Sequence, residues 1–312
     1  MDSIEKIKKF ISLSPQRTIF STPEWLEAVA PGKWRYIVLE SNETIRCCMP
    51  IVSYKKFGMD ILKMPPLTQS LGVLLTNKEG KYSENLSSDF NDMSKLISEI
   101  PNVSFFNQRF HPSISNWLPF YWEGYKQTTR YTYIISNLED LGSIWLGMRS
   151  NIRREIRKAE KSLKIEQSKD FELLKFFISS TYKRQQINSF PFKVLKRVFD
   201  LCNQNGNGKV FLAKNEKGDY YGAVYLIWDE KSAYYLAGGS PEHLRRSGAM
   251  SLLLWEAIKF AAGVTKEFNF EGSMIKPIER FFRAFGGEQV PYLEIYKINS
   301  IFIQSFKYLF KG

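Results

Sequence analysis

The stretch from Lys209 to Tyr292 constrains the fold of this 312-residue chain more than any other part of it. Three segments at 209–214, 220–228 and 232–237, separated by turn residues, predict three antiparallel strands, and the last two alternate enough to be half-buried. A turn rich in arginine and glycine follows, then a helix, a strand that ends in an acid, and a second helix. We expect an anion site at the helix N-terminus to lie beside the carboxylate at the strand end.

The first half of the chain repeats this order of elements. Trp34–Leu39 and Ile45–Ser53 predict a hairpin, and a helix around Asp89–Ile100 precedes a strand at Val103–Phe106. We therefore predict an α/β (α+β) fold with two tandem domains, each a mixed, mostly antiparallel sheet flanked by helices. The predicted domains are residues 1–137, which lack the turn and the acid and are expected to be non-catalytic, and residues 138–312.

Composition indicates a soluble globular protein in a reducing compartment. Apolar residues make up 44% of the chain, and no run is long enough to span a membrane or to act as a signal peptide. The three cysteines are Cys47, Cys48 and Cys202, and two of them are adjacent and poorly placed to pair. His111 and His243 have no partner at metal-ligand spacing, so no metal site is predicted. These features predict a cytoplasmic protein.

The formal net charge of +12 predicts attraction to anions such as nucleic acid, phosphorylated metabolites or anionic lipid. The densest basic stretch, Arg149–Lys164, carries seven basic and two acidic residues. Apolar residues at 152, 156, 159 and 163 predict a helix with one buried stripe. Its outer face is either simply solvated or grips phosphate, since guanidinium groups match phosphate oxygens. The residues on this outer face that we predict to bind substrate are Arg153, Arg154, Arg157 and Lys158.

A second basic element is the turn before the helix of the 209–292 stretch. Its glycine permits close approach of the backbone, and the helix that follows adds a positive dipole end. The same pattern also occurs as a plain helix cap, and this alternative stays open at this stage. The residues that we predict to bind donor phosphate are Arg245, Arg246, Ser247, Gly248 and Ala249.

Four segments together resemble the signatures of bacterial Fem-type and FemAB-related proteins of the GNAT superfamily. They are RYTYIIS at 130–136, IRREIRKAEK at 152–161, FNFEGSM at 268–274 and IERFFRAFGG at 278–287. The resemblance covers about Phe20 to Tyr296 and implies two GNAT-like domains in one chain. It implies transfer of an acyl or aminoacyl group to an amine. The best-known branch extends the peptide of cell-wall precursors from aminoacyl-tRNA, and related branches are expected to use acyl-CoA.

Glu271 is the acidic residue that we predict to act as the catalytic base. A carboxylate at the end of a buried strand can have a raised pKa and can remove a proton from an attacking ammonium group. The alternative is a structural glutamate that satisfies backbone N–H groups of the following turn. Direct attack by an amine needs only such a base and a polarised carbonyl, so no covalent intermediate is predicted.

The chain departs from the family pattern at two positions. Met250 stands where the pyrophosphate loop of GNAT enzymes usually has a small residue. Phe282 stands where GNAT enzymes have a tyrosine, or Fem-type ligases a lysine, that assists the leaving group. Nearby basic residues can substitute for it, namely Lys276, Arg280 and Arg283, of which Arg283 is also a predicted substrate-binding residue.

The sequence as a whole predicts an N-acyltransferase that moves an acyl group from acyl-CoA to an amine acceptor by direct attack, without a metal. One alternative is a Fem-type transferase that uses aminoacyl-tRNA and acts on a cell-wall precursor, in which case nucleic acid is a partner. The other is a non-catalytic module that binds polyanions. The tail Lys297–Gly312 has apolar residues near helical spacing and either docks on the body or contacts a membrane surface.

Overall fold

The computed structural model describes residues 3–184, 190–272 and 274–300. In chain order the elements of the first part are α1 (Ser3–Leu13), a 3-10 helix (Ile19–Ser21), α2 (Pro23–Val29), β1 (Trp34–Ser41), β2 (Thr44–Lys56), β3 (Met59–Leu62), β4 (Leu74–Leu75), α3 (Tyr82–Ser98), β5 (Phe105–Arg109), α4 (Leu118–Trp122) and β6 (Lys126–Ile135). They are followed by α5 (Leu141–Gly147), α6 (Ser150–Ala159), β7 (Lys164–Ser168), α7 (Phe171–Arg184), α8 (Phe192–Gln204), β8 (Gly208–Lys214), β9 (Tyr220–Trp228), β10 (Ser232–Gly239), a 3-10 helix (Glu242–Ser247), α9 (Ala249–Ala261), β11 (Glu267–Asn269), α10 (Lys276–Arg283) and β12 (Glu288–Ile298).

These elements form two compact units. The first contains the described residues of Met1–Arg130 and Pro291–Gly312, and the second is Tyr131–Val290. The chain passes from one unit to the other within β6 and again within β12. The predicted domains 1–137 and 138–312 therefore differ from these units at residues 131–137 and at the C-terminal strand, and they stay a prediction.

The first unit is built on a mixed sheet in the order β1-β2-β3-β5-β12. The hairpin β1–β2 is antiparallel, as predicted, and β3 and β5 form a parallel pair. The core beneath it includes Phe106, Phe110 and Phe120, and the rings of Phe110 and Phe120 pack edge to face. Aromatic side chains of this size bury much apolar surface, and this burial stabilises the sheet.

The second unit has the strand order β6-β11-β10-β9-β8-β7. The predicted strands β8, β9 and β10 are antiparallel, and β10 pairs with β11 in parallel, which requires the crossover through α9. One face of the sheet is covered by α6, α9 and α10 around a core that includes Ile156, Phe268 and Phe270. On the same sheet α7 packs against β9 and β10. Both sheets are mixed, mostly antiparallel and flanked by helices, so the predicted fold class is confirmed.

No helix in the described ranges is both long enough and apolar enough to cross a membrane. The predicted tail helix lies mostly in residues 301–312, which are outside the described residues.

Candidate active site

The candidate active site lies where the parallel pair β10–β11 ends. The paired positions run from Ser232 opposite Glu267 to Tyr234 opposite Asn269, whereas β10 continues to Gly239. Its pairing with β9 shifts register between Tyr235 and Ala237, which is a bulge. Ligands of open α/β sheets bind outside the carboxyl ends of the parallel strands, and bulges often lie next to active sites.

Glu271, the predicted base, follows β11 at this edge and is half-buried. Its φ is 57°, in the left-handed region that residues with a Cβ rarely adopt. The backbone is held there because the Glu271 N–H donates to Asn269 Oδ1 at 2.8 Å, and Thr132 Oγ donates to the same oxygen at 2.7 Å. A strained residue that its surroundings hold so firmly is typical of a functional site.

Gly272 continues the left-handed turn with a φ of 63°. A Cβ at this position would lie 2.2 Å from the carbonyl oxygen of Tyr131, so only glycine allows the turn to contact β6 this closely. The FEG sequence at 270–272 thus has a structural purpose: a buried phenylalanine, then a carboxylate displayed on a fixed backbone, then the glycine that permits it.

Phe282, which stands where the family pattern has tyrosine or lysine, is 4% exposed. Its ring lies 5.4 Å from that of Phe270 and 5.6 Å from that of Tyr235. Burial raises the pKa of the Tyr235 phenol above its usual range, so its hydroxyl stays protonated at neutral pH. Tyr235 therefore brings a protonated hydroxyl group to the neighbourhood of Phe282.

The predicted phosphate turn is covered by another helix. Gly248 has a φ of 80°, and a Cβ there would lie 2.7 Å from the backbone oxygen of Glu155 in α6. Ala249 is 1% exposed, and its N–H donates to Ser247 Oγ at 3.2 Å. Packing against α6 is thus a sufficient reason for the glycine at 248, while Arg245 and Arg246 are exposed beside it. Phosphate binding by this turn stays a prediction.

A carboxylate of the protein itself lies at the N-terminus of α9. The Ser251 hydroxyl, in the first turn of that helix, donates to Glu155 Oε2 at 2.7 Å. The positive end of a helix dipole attracts anions, and here the Glu155 carboxylate interacts with it.

Next to this contact α6 and α10 line a cavity of about 480 Å³ that is open to solvent. It is lined by Arg149, Asn151, Ile152, Glu155, Pro277, Arg280, Phe281, Arg283 and Ala284. The two helices are joined at its base because the Arg149 N–H donates to the backbone oxygen of Ala284 at 2.9 Å. Three guanidinium groups against one carboxylate make the cavity basic.

Arg283 is fixed by a network on α10. Its Nε lies 2.8 Å from Glu279 Oε1, so the two residues form an ion pair one helical turn apart. The Tyr133 hydroxyl donates to Glu279 Oε1 at 2.6 Å and accepts from Gln289 Nε2 at 2.9 Å. The hydrogen bond from Tyr133, with help from Arg283, holds the pKa of the Glu279 carboxyl below its usual value. Glu279 is therefore an ionised partner and not a proton donor.

The predicted basic helix is confirmed as α6, with Ile152, Ile156 and Ala159 buried. In the described part of the chain, the four residues of its outer face that we predict to bind substrate do not line the cavity. Arg154, Arg157 and Lys158 are exposed, Arg153 is half-buried, and the Arg157 guanidinium lies over the ring of Trp145 at 5.4 Å. Of the predicted substrate-binding residues, only Arg283 lines the cavity. Substrate binding by all five residues stays a prediction.

Two lining arginines were not among the predicted binding residues. Arg149 precedes the first turn of α6, and Arg280 had been named only as a substitute for the missing lysine. A signal was present in the sequence, because positions 277, 280, 281 and 284 share one face of a helix. In the described part of the chain, no group of three or more histidine, cysteine, aspartate or glutamate residues is arranged to hold a metal.

Comparison with known proteins defines the class. Residues 147–272 match the family model described as an acetyltransferase (GNAT) domain. The fold is similar to that of FemX, with a TM-score of 0.71, 14% identity, and coverage of 100% of this chain and 99% of that one. A tandem GNAT protein from the clavulanic acid biosynthesis pathway has a TM-score of 0.54 and 9% identity, over 95% of both chains. L-PGS from Bacillus licheniformis has a TM-score of 0.56 and 11% identity, over 97% of this chain and 94% of that one.

The fold is thus that of tandem GNAT proteins, and the second unit carries the matched GNAT domain. Residues 147–272 thus carry a GNAT acetyltransferase domain, which places the chain in the enzyme class of the acyltransferases, and the fold is similar to that of FemX and of tandem GNAT proteins. The resemblance drawn from the four sequence segments is confirmed. A search with the sequence against curated proteins returns no significant match.

Proposed function

We propose that the protein is an N-acyltransferase in which an acceptor amine attacks the acyl carbonyl of the donor directly, with Glu271 as the base. The observation that supports this most is the backbone of Glu271, held in the left-handed region at the carboxyl end of a parallel strand pair. A carboxylate held in this way is already in place when the substrate binds, and such preorganisation lowers the activation barrier of the reaction.

In the proposed step the amine nitrogen forms a bond to the acyl carbon, and the bond from that carbon to the donor sulfur or oxygen breaks. Glu271 takes the proton that the ammonium group must lose. Tyr235 gives a proton to the leaving thiolate or alkoxide and regains one from solvent. Backbone N–H groups of β10 beyond Tyr234 are suited to polarise the carbonyl, because the pairing with β11 has ended there.

The test is the turnover of Glu271→Gln with acetyl-CoA and with aminoacyl-tRNA as donors, against a panel of amines that includes lysine peptides and amino sugars. Release of free thiol or of uncharged tRNA reports the reaction. We expect turnover to fall roughly 10²- to 10⁴-fold, because a general base contributes about that much, with donor affinity retained.

Glu267→Gln is the matched control. Glu267 is a half-buried acid of the same strand whose carboxylate accepts from Ser232 Oγ at 2.9 Å, and we expect its variant to keep turnover within a few-fold. Unchanged turnover in Glu271→Gln would remove this residue from the mechanism. Tight, strongly salt-dependent binding of polyanions without any turnover would favour the non-catalytic module instead.

The donor is the second part of the proposal. Acyl-CoA was the expected donor because the Arg245–Ala249 turn resembles a pyrophosphate loop. The packing of α6 on Gly248 and the Glu155 carboxylate at Ser251 leave less reason to seat a pyrophosphate there. We therefore favour aminoacyl-tRNA, which also suits the net charge of +12, and keep acyl-CoA as the alternative.

The proposed acceptor is an amine. A cell-wall precursor is the acceptor that the Fem-type resemblance implies. Attachment to a membrane through the tail after Lys297 would suit a lipid-linked acceptor. A cytoplasmic location, predicted from composition, is the compartment in which charged tRNA and CoA are both available.

A further inference from the structure

We propose that the cavity between α6 and α10 binds the phosphate groups of a nucleotide, with Arg149, Arg280 and Arg283 as the anion ligands. The inference rests on the proposed function, since it gives the donor's nucleotide portion a place to bind. It assigns this binding to a site other than the turn at Arg245–Ala249. The shared chemistry is that of a nucleotide, whether it belongs to CoA or to the 3′ end of a tRNA.

The charges of the cavity are the first argument. Neither the Arg149 nor the Arg280 side chain makes a hydrogen bond or salt bridge to any described residue, whereas Arg283 is paired with Glu279. The Glu279 carboxylate acts on Arg280 only through its charge, and Glu155 is the one carboxylate that lines the cavity. Positive charge is therefore in excess there, and an anion between the guanidinium groups lowers their mutual repulsion. Guanidinium groups match phosphate oxygens in a two-pronged geometry, so phosphate is the anion that fits best.

The remaining lining residues indicate a nucleotide in preference to free phosphate. Phe281 and Pro277 add apolar surface beside the arginines, and Phe281 is only half-buried although it also packs on Phe285 at 5.3 Å. Nucleobases stack on aromatic rings of this kind without regard to sequence. The first turn of α6 also faces the cavity through Asn151, and its dipole favours an anion there.

Glu155 gives the proposal a specific signature. Its carboxylate is the single negative charge among the lining residues, and it is held at the rim by Ser251. Glutamine retains an oxygen that can accept from the Ser251 hydroxyl but removes the charge. Glu155→Gln is therefore expected to strengthen nucleotide binding several-fold, an effect that a purely structural role does not produce.

The experiment is calorimetric titration of the full-length protein with pyrophosphate, CoA and a 5′-phosphorylated CCA trinucleotide at low salt. Arg149→Ala and Arg280→Ala are each expected to weaken binding of every ligand that binds, by roughly ten- to hundred-fold, as for loss of a charged hydrogen bond. Phe281→Leu is expected to weaken the nucleotides and spare pyrophosphate. The trinucleotide and CoA arms distinguish the two sources of the nucleotide.

Arg35→Ala is the control for loss of one positive charge, because Arg35 is an exposed residue of β1 in the other unit. The mutated arginines are exposed, and circular dichroism checks that their variants fold. Unchanged affinity in both arginine variants, or no binding of any probe at millimolar concentration, would overturn the proposal. Because the titrations measure binding and not turnover, unchanged or absent binding would not contradict the proposed transferase activity. A loss of activity alone would likewise not contradict nucleotide binding in the cavity.

Discussion

The hydroxyl of Tyr235 takes on significance only through its neighbours. A leaving thiolate or alkoxide needs a proton, and Phe282 stands in the position where the family pattern supplies one. Tyr235 packs against that phenylalanine, and burial raises the pKa of its phenol, so the hydroxyl keeps its proton at neutral pH and is available to the leaving group as a hydrogen-bond donor. Its ionisation is not expected to limit activity in the neutral or mildly alkaline range.

Tyr235→Phe is predicted to lower turnover about 10²-fold, because it removes the proton donor while retaining the ring that packs on Phe282. The measurement is the rate with two thioesters, one with an ordinary alkyl thiol and one with an acidic aryl thiol as leaving group. An aryl thiolate leaves without protonation, so the defect is expected to disappear with it. An equal loss for both thioesters would show that Tyr235 is structural.

Tyr220→Phe is the matched variant for this comparison. Tyr220 lies on β9, and its hydroxyl donates to Glu166 at 2.9 Å, whereas Tyr235 packs against Phe282. We expect it to leave the ratio of the two rates unchanged.

At the scale of elements, the contact between α6 and the start of α9 decides how the predicted phosphate turn is used. Gly248 lies so close to Glu155 that a side chain has no room, and the left-handed φ adds a second reason for glycine. Sequence spacing alone cannot separate these two causes from a third, the approach of a ligand phosphate. Substitution of a crowded glycine and of an uncrowded one separates the energetic cost of the backbone conformation from the cost of steric crowding.

Gly248→Ala is predicted to destabilise the protein more than Gly218→Ala does. Gly218 has a φ of 87° with open space around its Cβ position, so its variant pays only the conformational cost, about 1 kcal/mol. Gly248→Ala adds crowding against α6, which typically costs a further ~1–3 kcal/mol. Urea unfolding of both variants measures the difference. Equal costs would mean that α6 does not press on this turn.

For the whole molecule, the buried titratable groups predict a loss of stability at alkaline pH. Burial raises the pKa of the Cys47 and Cys202 thiols to about 12 and that of the Tyr125 phenol to about 12, mainly because the charged forms lose hydration. The reference values are 9.0 for the thiol and 10.0 for the phenol. Above those values the unfolded chain releases protons that the native protein retains, so the free energy of unfolding falls.

The predicted result is constant stability up to about pH 9, then a decline of about 1.4 kcal/mol per pH unit for each such group until its native pKa is reached. Urea unfolding under reducing conditions between about pH 8 and about pH 11 measures this slope. Tyr82→Phe, at an 80% exposed position, should leave the slope unchanged. Flat stability up to about pH 11 would contradict the prediction.

Much of the fold follows from local sequence patterns. The hairpin β1–β2, the strands β8 to β10 and the buried stripe of α6 were predicted correctly, because each follows from residues only a few positions apart in the sequence. Apolar and aromatic runs between turn residues predict the strands, and apolar residues at helical spacing predict the stripe. The order of these elements, with the FNFEGSM and IERFFRAFGG segments, was sufficient to identify the GNAT-like class. The composition and charge of the chain were sufficient to predict an anionic ligand.

The sequence by itself thus determined the elements, their order, the class of enzyme and the candidate carboxylate. Only the tertiary structure decided which groups meet. Glu155 and Ser251 are 96 positions apart, and Tyr133 and Glu279 are 146 apart, so no local pattern predicts either contact. Contacts between residues far apart in the sequence also produce three other features of the site. These are the packing of α6 over Gly248, the ring contact between Tyr235 and Phe282, and the arginine-lined cavity. They form because α6 and α10 bury their apolar faces against one core, which brings their polar residues together at its edge.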